Sequence, residues 1–122
     1  MAIPKKICLA SYSLSSFFKR NELIEVAYRA LRFARRDSID LPGFDENQFV
    51  LASNANQRNY NLLLEEFTAL RRTTVYLYNS FSDAALLEIG KIDGNKMSVR
   101  ALGYLTSGHL LHHLHVIKNR YL

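Results

Sequence analysis

The sequence has one cysteine, two prolines and five glycines in 122 residues. A single thiol, Cys8, excludes a disulfide within the chain, which fits a reducing cytoplasm or a fold that needs no bridge. No apolar run approaches the roughly 20 residues that span a bilayer, so no membrane partner is expected. With 48% hydrophobic residues, the chain is apolar enough to predict one small globular domain with a single core.

The opening segment, residues 1–18, has no clear hydrophobic period. Two lysines followed by ICLASYSLSSFF imitate a signal peptide, but the serines weaken the apolar stretch and no small-residue cleavage site follows. We therefore expect a cytoplasmic protein with a separate N-terminal segment over residues 1–18 and one helical domain over residues 19–122. No repeat, low-complexity tract or linker divides that domain.

The net charge of +5 and the pI near 9.5 raise the question of an anionic partner. Arg29, Arg32 and Arg36 share one helical face, which could meet phosphates. Glu25 lies four residues before Arg29 and favours the alternative, a solvated face with a helix-stabilising ion pair. Since no recognised nucleic-acid motif is present, we do not expect a nucleic-acid partner.

Three segments show helical periodicity. The first begins at Asn21, a suitable N-cap, and continues to Arg36. The last, Val99 to Tyr121, is capped by Ser98. The second begins near Asn59 and continues to about Phe81, and its apolar positions recur at spacings of four and three, as in a bundle helix with one buried seam: Leu63, Phe67, Leu70, Thr74, Leu77 and Phe81.

Two connections separate these helices. Residues 37–52 form a long link with a turn at Pro42-Gly43, and long ordered loops in compact domains tend to be functional. Phe44 and Phe49 are expected to hold this link against the domain. Gly90 to Met97 is predicted to be irregular or extended, with a turn at Asp93-Gly94-Asn95.

All four histidines lie on the last predicted helix: His109, His112, His113 and His115. At 100° per residue, His109 and His113 are about 40° apart, on the same face as Leu102, Leu105 and Val116, while His112 and His115 point progressively outward. A buried imidazole nitrogen without a partner costs about 1–3 kcal/mol, so the inward pair needs a metal ion or a water between helices.

The spacing of this pair leaves two interpretations open. Histidines at i and i+4 can present two nitrogens to one divalent ion. They can equally be ordinary core or half-exposed histidines. No glutamate follows His109, so the zinc-protease pattern HExxH is absent.

Five blocks share one nearly gapless register from Ala27 to Leu122: AYRALRFARRD, LPGFDEN, LLEEFTALRRTT, SVRALGY and GHLLHHLHVIKNRYL. In this register the chain resembles the DinB-like superfamily. Members of that family are four-helix bundles that commonly bind a divalent metal, and some are thiol-dependent S-transferases.

The resemblance implies a metal site on the last helix. In the family three histidines hold the ion, one from the second bundle helix and two at i and i+4 on the last helix. The last two carry over to His109 and His113, whereas the first falls near Phe18 and has no counterpart. We therefore expect a degenerate Zn²⁺ or Ni²⁺ site, for which the substitute donors are Asn21, Glu22, Glu25 and His112, the carboxylates ranking above the amide. The alternative for both glutamates is pairing with nearby arginines.

The resemblance also implies that a helix is missing. The 26 residues before Ala27 are too few for the family's first helix and linker, so the expected fold is an all-α, up-and-down, DinB-like bundle that is N-terminally shortened. Removing one helix leaves the stripes of two others open, on the helices of Leu23 to Ala34 and Leu63 to Phe81. A homodimer would cover them, as would residues 1–18 refolded as a helix; partial disorder is the third outcome.

Two functions follow as expectations. One is a divalent-metal-dependent transferase relative that acts on a small-molecule thiol or electrophile, with low activity because a ligand is missing. The other is a non-catalytic dimerising or binding module of the same fold.

Overall fold

The computed structural model describes residues 23–54 and 57–121, and this part of the chain is mostly helical, as predicted. A purely helical bundle is not confirmed, because the same part contains a three-stranded sheet. Residues 1–18, Asn21 and Glu22 lie outside the described part. Its elements are, in chain order, α1 (residues 23–34), β1 (Asp40–Leu41), α2 (Glu46–Ser53), α3 (Tyr60–Asn79), α4 (Asp83–Leu86), β2 (Ile89–Ile92), β3 (Asn95–Ser98) and α5 (Val99–Tyr121).

Helix α1 buries one apolar face and ends in a Schellman motif. Leu23, Val26, Ala30 and Phe33 are buried at spacings of three and four. At the C-terminus the N–H of Asp37 donates to the carbonyl of Arg32 at 3.0 Å, and the N–H of Arg36 to that of Phe33 at 2.9 Å. Arg36 adopts a φ of 61° there, so the predicted helix ends before this residue.

Helix α3 confirms its predicted cap and seam. The side-chain oxygen of Asn59 accepts hydrogen bonds from the N–H groups of Asn61 and Leu62. Leu63 and Thr74 are buried, and the other four seam positions are half-buried. Of the two stripes on which a dimer interface was predicted, the one on α1 is largely buried within the chain and the one on α3 is only partly buried.

The predicted extended link is a β-hairpin. β2 and β3 pair antiparallel, with Gly90 opposite Met97, and Asp93 and Gly94 at the tip have φ values of 50° and 78°. Two consecutive positive φ values are typical of a type I′ turn, which confirms the predicted turn. β1 adds a third strand parallel to β2, with Leu41 paired to Ile92.

The link over residues 37–52 is not irregular throughout, because α2 occupies its second half. The carboxylate of Asp45 accepts a hydrogen bond from the N–H of Gln48 at 3.2 Å and caps this helix. Phe49 and Leu51 are both exposed, so the described side chains of α2 form no buried apolar stripe of the kind that periodicity detects. The Phe44 and Phe49 rings do contact each other, with centroids 4.7 Å apart.

The core lies where α1, the sheet and the start of α5 meet. Its buried cluster is Val26, Ala30, Phe33, Leu41, Val99 and Leu102. The ring of Phe33 occupies the space where a Cβ at position 90 would stand, 1.9 Å from the nearest ring carbon. Glycine at position 90 therefore lets the hairpin lie directly on α1.

Helix α5 confirms the longest predicted element. The hydroxyl oxygen of Ser98 accepts a hydrogen bond from the N–H of Ala101 at 3.0 Å, which is the predicted N-cap. The helix continues for 23 residues from Val99 to Tyr121. Among the described helices, none combines the length and the apolar character needed to cross a membrane.

Candidate functional site

The first candidate site is the histidine-bearing half of α5. Positions 109 and 113 both lie in its helical backbone, one turn apart as predicted, and their side chains are outside the described part. Val99, Leu102 and Thr106 are 0%, 1% and 7% exposed, and these residues mark the inward face of the first turns.

The predicted inward face was wrong at one position. Leu105 is 53% exposed, although it was expected to share a face with Leu102. Val99, Leu102 and Thr106 form the buried face of the helix. Leu105 is rotated about 100° from Thr106 around the helix axis, so its side chain lies off this face. The side chain of Val116, also expected on this face, is outside the described part.

His112 and His115 are exposed, as predicted for the outward members of the set. The Nε2 atom of His115 lies 2.7 Å from the side-chain nitrogen of Asn119, one turn further along α5. The imidazole rings of His112 and His115 therefore lie on the solvent side of the helix.

The described donors do not complete a three-ligand metal centre. Glu25 forms an ion pair with Arg29 at 3.6 Å, which is the alternative expected for this carboxylate. Among the described side chains, no three histidine, cysteine, aspartate or glutamate residues lie close enough together to hold a metal ion. The side chains of His109 and His113 are not among those described. Glu22 and Asn21 also lie outside the described residues.

Arg29, at one end of the basic face of α1, is held by several groups. Its side chain is only 12% exposed, and its Nη2 donates to the carbonyl of Pro42 at 3.1 Å. The guanidinium carbon lies 5.7 Å from the centroid of the Phe44 ring, within cation–π range. Arg29 therefore anchors the link that precedes α2 to the surface of α1.

The other two arginines of this face also have acidic partners. Arg32 pairs with Asp37, and its Nη1 donates to the Tyr28 hydroxyl at 2.7 Å. The pKa of Asp37 is below its ordinary value, chiefly because its carboxylate accepts a hydrogen bond from the N–H of Ile39 and also because Arg32 lies beside it. Arg36 forms an ion pair with Glu88 at 3.0 Å. The three arginines of the basic face of α1 therefore form ion pairs within the chain.

A second candidate site was not found from the sequence. An open groove of about 420 Å³ lies between α3 and α5, and we call it the α3–α5 groove. Its lining includes Arg71, Val75 and Tyr78 from α3, and Arg100, Gly103 and Tyr104 from α5. Because two helices contribute, no single periodic segment revealed the groove.

A close helix contact forms one part of this groove. A Cβ at position 103 would lie 2.8 Å from Cε1 of Tyr78, so glycine allows α5 to approach the tyrosine ring. The Tyr78 hydroxyl donates to the carbonyl of Val99 at 2.9 Å. Burial raises the pKa of Tyr78 to about 12, so the hydroxyl keeps its proton at neutral pH. The isolated Gly103 inside a predicted helix was the one sequence signal of this contact.

The charges around the groove have one sign. Arg71 and Arg100 are both exposed, and neither guanidinium group forms a hydrogen bond or an ion pair with the described side chains. None of the described side chains that line the groove is acidic. These guanidinium groups differ in this respect from the paired arginines of α1.

Comparison with known proteins identifies no relative of this chain. No protein-family model matches the sequence, and neither a curated protein nor a solved structure matches it. The DinB-like resemblance therefore depends on the five sequence blocks.

Proposed function

We propose that this chain is a cytoplasmic, DinB-like relative of the thiol-dependent S-transferases that binds Zn²⁺ or Ni²⁺ weakly through His109 and His113. The supporting observation is the unbroken helix α5 from Val99 to Tyr121, which keeps positions 109 and 113 one turn apart. Imidazoles at this spacing are suited to bind one divalent ion.

The missing ligand explains why we expect binding without efficient chemistry. A bound ion would lower the pKa of a coordinated thiol. Catalytic zinc sites typically keep three protein ligands, which orient the open coordination position. Glu25 is engaged by Arg29 and is a poor substitute. Two histidines from one helix hold an ion without fixing its direction, and a misplacement of about 1 Å can reduce the rate about 100-fold.

Titration calorimetry with Zn²⁺ and Ni²⁺ tests this proposal. His109→Ala and His113→Ala should each weaken binding at least about tenfold, because each removes one of two ligands. His115→Ala, on the exposed side of the same helix, is the matched control and should leave the affinity unchanged. Binding should fail below about pH 6, where imidazoles protonate.

The same metal-loaded samples are assayed for conjugation of a small thiol to an electrophile, where we expect little turnover. Equal metal affinities for the wild type and His113→Ala would contradict the site. Rapid turnover that disappears in His109→Ala would show that the metal centre is catalytically complete.

A second candidate function is self-association, and a different observation favours it. Ile24, Tyr28 and Leu31 are 46%, 49% and 40% exposed and recur on α1 at spacings of four and three. We call these residues the α1 outer stripe. A two-fold dimer would pack this stripe against its own copy, which requires only one self-complementary face.

Light scattering after size exclusion tests the dimer. We expect a dimer for the wild type and a folded monomer for the double variant Ile24→Glu, Leu31→Glu, because burying two carboxylates in an apolar interface is unfavourable. Leu62→Glu places a charge at a position that is 59% exposed on α3 and should leave the dimer intact. A monomeric wild type with cooperative unfolding would exclude this function.

A further inference from the structure

We infer that the α3–α5 groove binds a small amphipathic anion, an acidic head group carried on an apolar body. None of the described residues that line the groove is a proposed metal ligand. The inference therefore does not depend on the proposed function.

The size and lining of the groove fit an apolar body. Its volume of about 420 Å³ falls within the range of about 300–1,000 Å³ that is usual for small-molecule sites. Val75 is 44% exposed and Tyr104 is 75% exposed, so both offer apolar surface that a ligand can cover. Aromatic and aliphatic side chains in such sites supply most of the contact area.

Three hydroxyl groups of the groove already donate hydrogen bonds, so a head group would be bound by the exposed polar side chains, of which Arg71 and Arg100 are the charged ones among the described lining. The hydroxyls of Thr74 and Thr106 donate to the carbonyls of Leu70 and Leu102 at 2.8 and 2.9 Å, within their own helices. The Tyr78 hydroxyl likewise donates to Val99. These three donors are already used, so a ligand in the groove would meet them mainly as contact surface.

Arg71 and Arg100 approach the groove from different helices and have no acidic partner in the described part of the chain. A guanidinium group binds a carboxylate or a phosphate through charge-assisted, often bidentate hydrogen bonds. Two such groups beside an apolar surface select a ligand with an acidic head, and the positive lining disfavours a cationic one.

Calorimetric titration of the full chain with octanoate tests the inference. Octan-1-ol, which has a neutral head, and acetate, which lacks the apolar body, are the comparison probes. We expect octanoate to bind at least about tenfold more tightly than either probe, because a charge-assisted hydrogen bond and an apolar contact each contribute. Added salt should weaken octanoate binding, since exposed charges are screened.

Arg71→Gln and Arg100→Gln should each weaken octanoate binding about tenfold and leave octan-1-ol binding unchanged. Arg72→Gln is the matched control, because Arg72 is exposed and adjacent on α3 but does not line the groove. His113→Ala should leave octanoate affinity unchanged, so failure of the metal site and failure of the groove are distinguishable. Thermal melts of every variant establish that the chain is folded.

Three results would overturn the inference. The first is a wild type that does not bind octanoate, and the second is an Arg72→Gln variant that weakens binding as much as Arg71→Gln. The third is a dimer that Arg71→Gln or Tyr104→Ala converts to a monomer, which would identify a second copy of the chain as the occupant of the groove.

Discussion

Replacing Gly90 with alanine is expected to remove a large part of the net stability of the protein. The added Cβ would lie 1.9, 2.1 and 2.4 Å from three carbons of the Phe33 ring, which is 1% exposed and belongs to the buried core. Overpacking of a core usually costs about 1–3 kcal/mol and occasionally more. Because this clash involves a buried ring between the hairpin and α1, we expect a loss of about 3 kcal/mol or more, against a typical net stability of about 5–15 kcal/mol.

Denaturant unfolding of four variants measures this effect. Phe33→Leu removes the ring from the contact, so Gly90→Ala should be less damaging in that background than in the wild type, with a coupling of about 0.5–3 kcal/mol. Gly108→Ala introduces the same methyl group in the interior of α5, where no described heavy atom lies within 4 Å apart from its chain neighbours and the nearby helix backbone. That control should be stabilised by about 0.5–1 kcal/mol. Wild-type stability for Gly90→Ala would mean that the hairpin does not lie on α1.

Truncation of Leu102 is expected to have the next largest effect. Leu102 is 1% exposed and belongs to the buried cluster with Phe33 and Val99. Removal of a fully buried leucine side chain typically costs about 2–5 kcal/mol, from lost transfer energy and the cavity left behind. We therefore expect Leu102→Ala to lower the free energy of unfolding by that amount in urea denaturation.

Leu105→Ala is the matched control for the orientation of α5. Leu105 is 53% exposed and lies three residues later on the same helix, so its truncation should cost less than about 1 kcal/mol. This pair of variants determines which face of α5 is inward, and with it the setting of positions 109 and 113. Equal losses of unfolding free energy in Leu102→Ala and Leu105→Ala would mean that both leucines lie on the inward face, as predicted from the sequence.

The sequence by itself determined the elements that depend on local patterns. Helical spacing predicted α3 and its seam from Leu63 to Leu77, because a helix with one buried face repeats its apolar residues every three or four positions, whereas Phe81, the last predicted seam residue, lies beyond the helix end at Asn79. The caps Asn59 and Ser98 were predictable since their side chains bond N–H groups only two or three residues away. The turn at Asp93 and Gly94 was predictable for the same local reason.

Only the tertiary structure decided which distant residues meet. β1 pairs with β2 across about fifty residues, and Arg36 finds Glu88 over a separation of 52, so neither contact has a local signature. Periodicity also did not separate Leu105 from the buried face of α5, because the direction of burial depends on the neighbours that a helix packs against. The α3–α5 groove belongs to this second group, since Arg71 and Arg100 come together only when two helices far apart in the chain lie side by side.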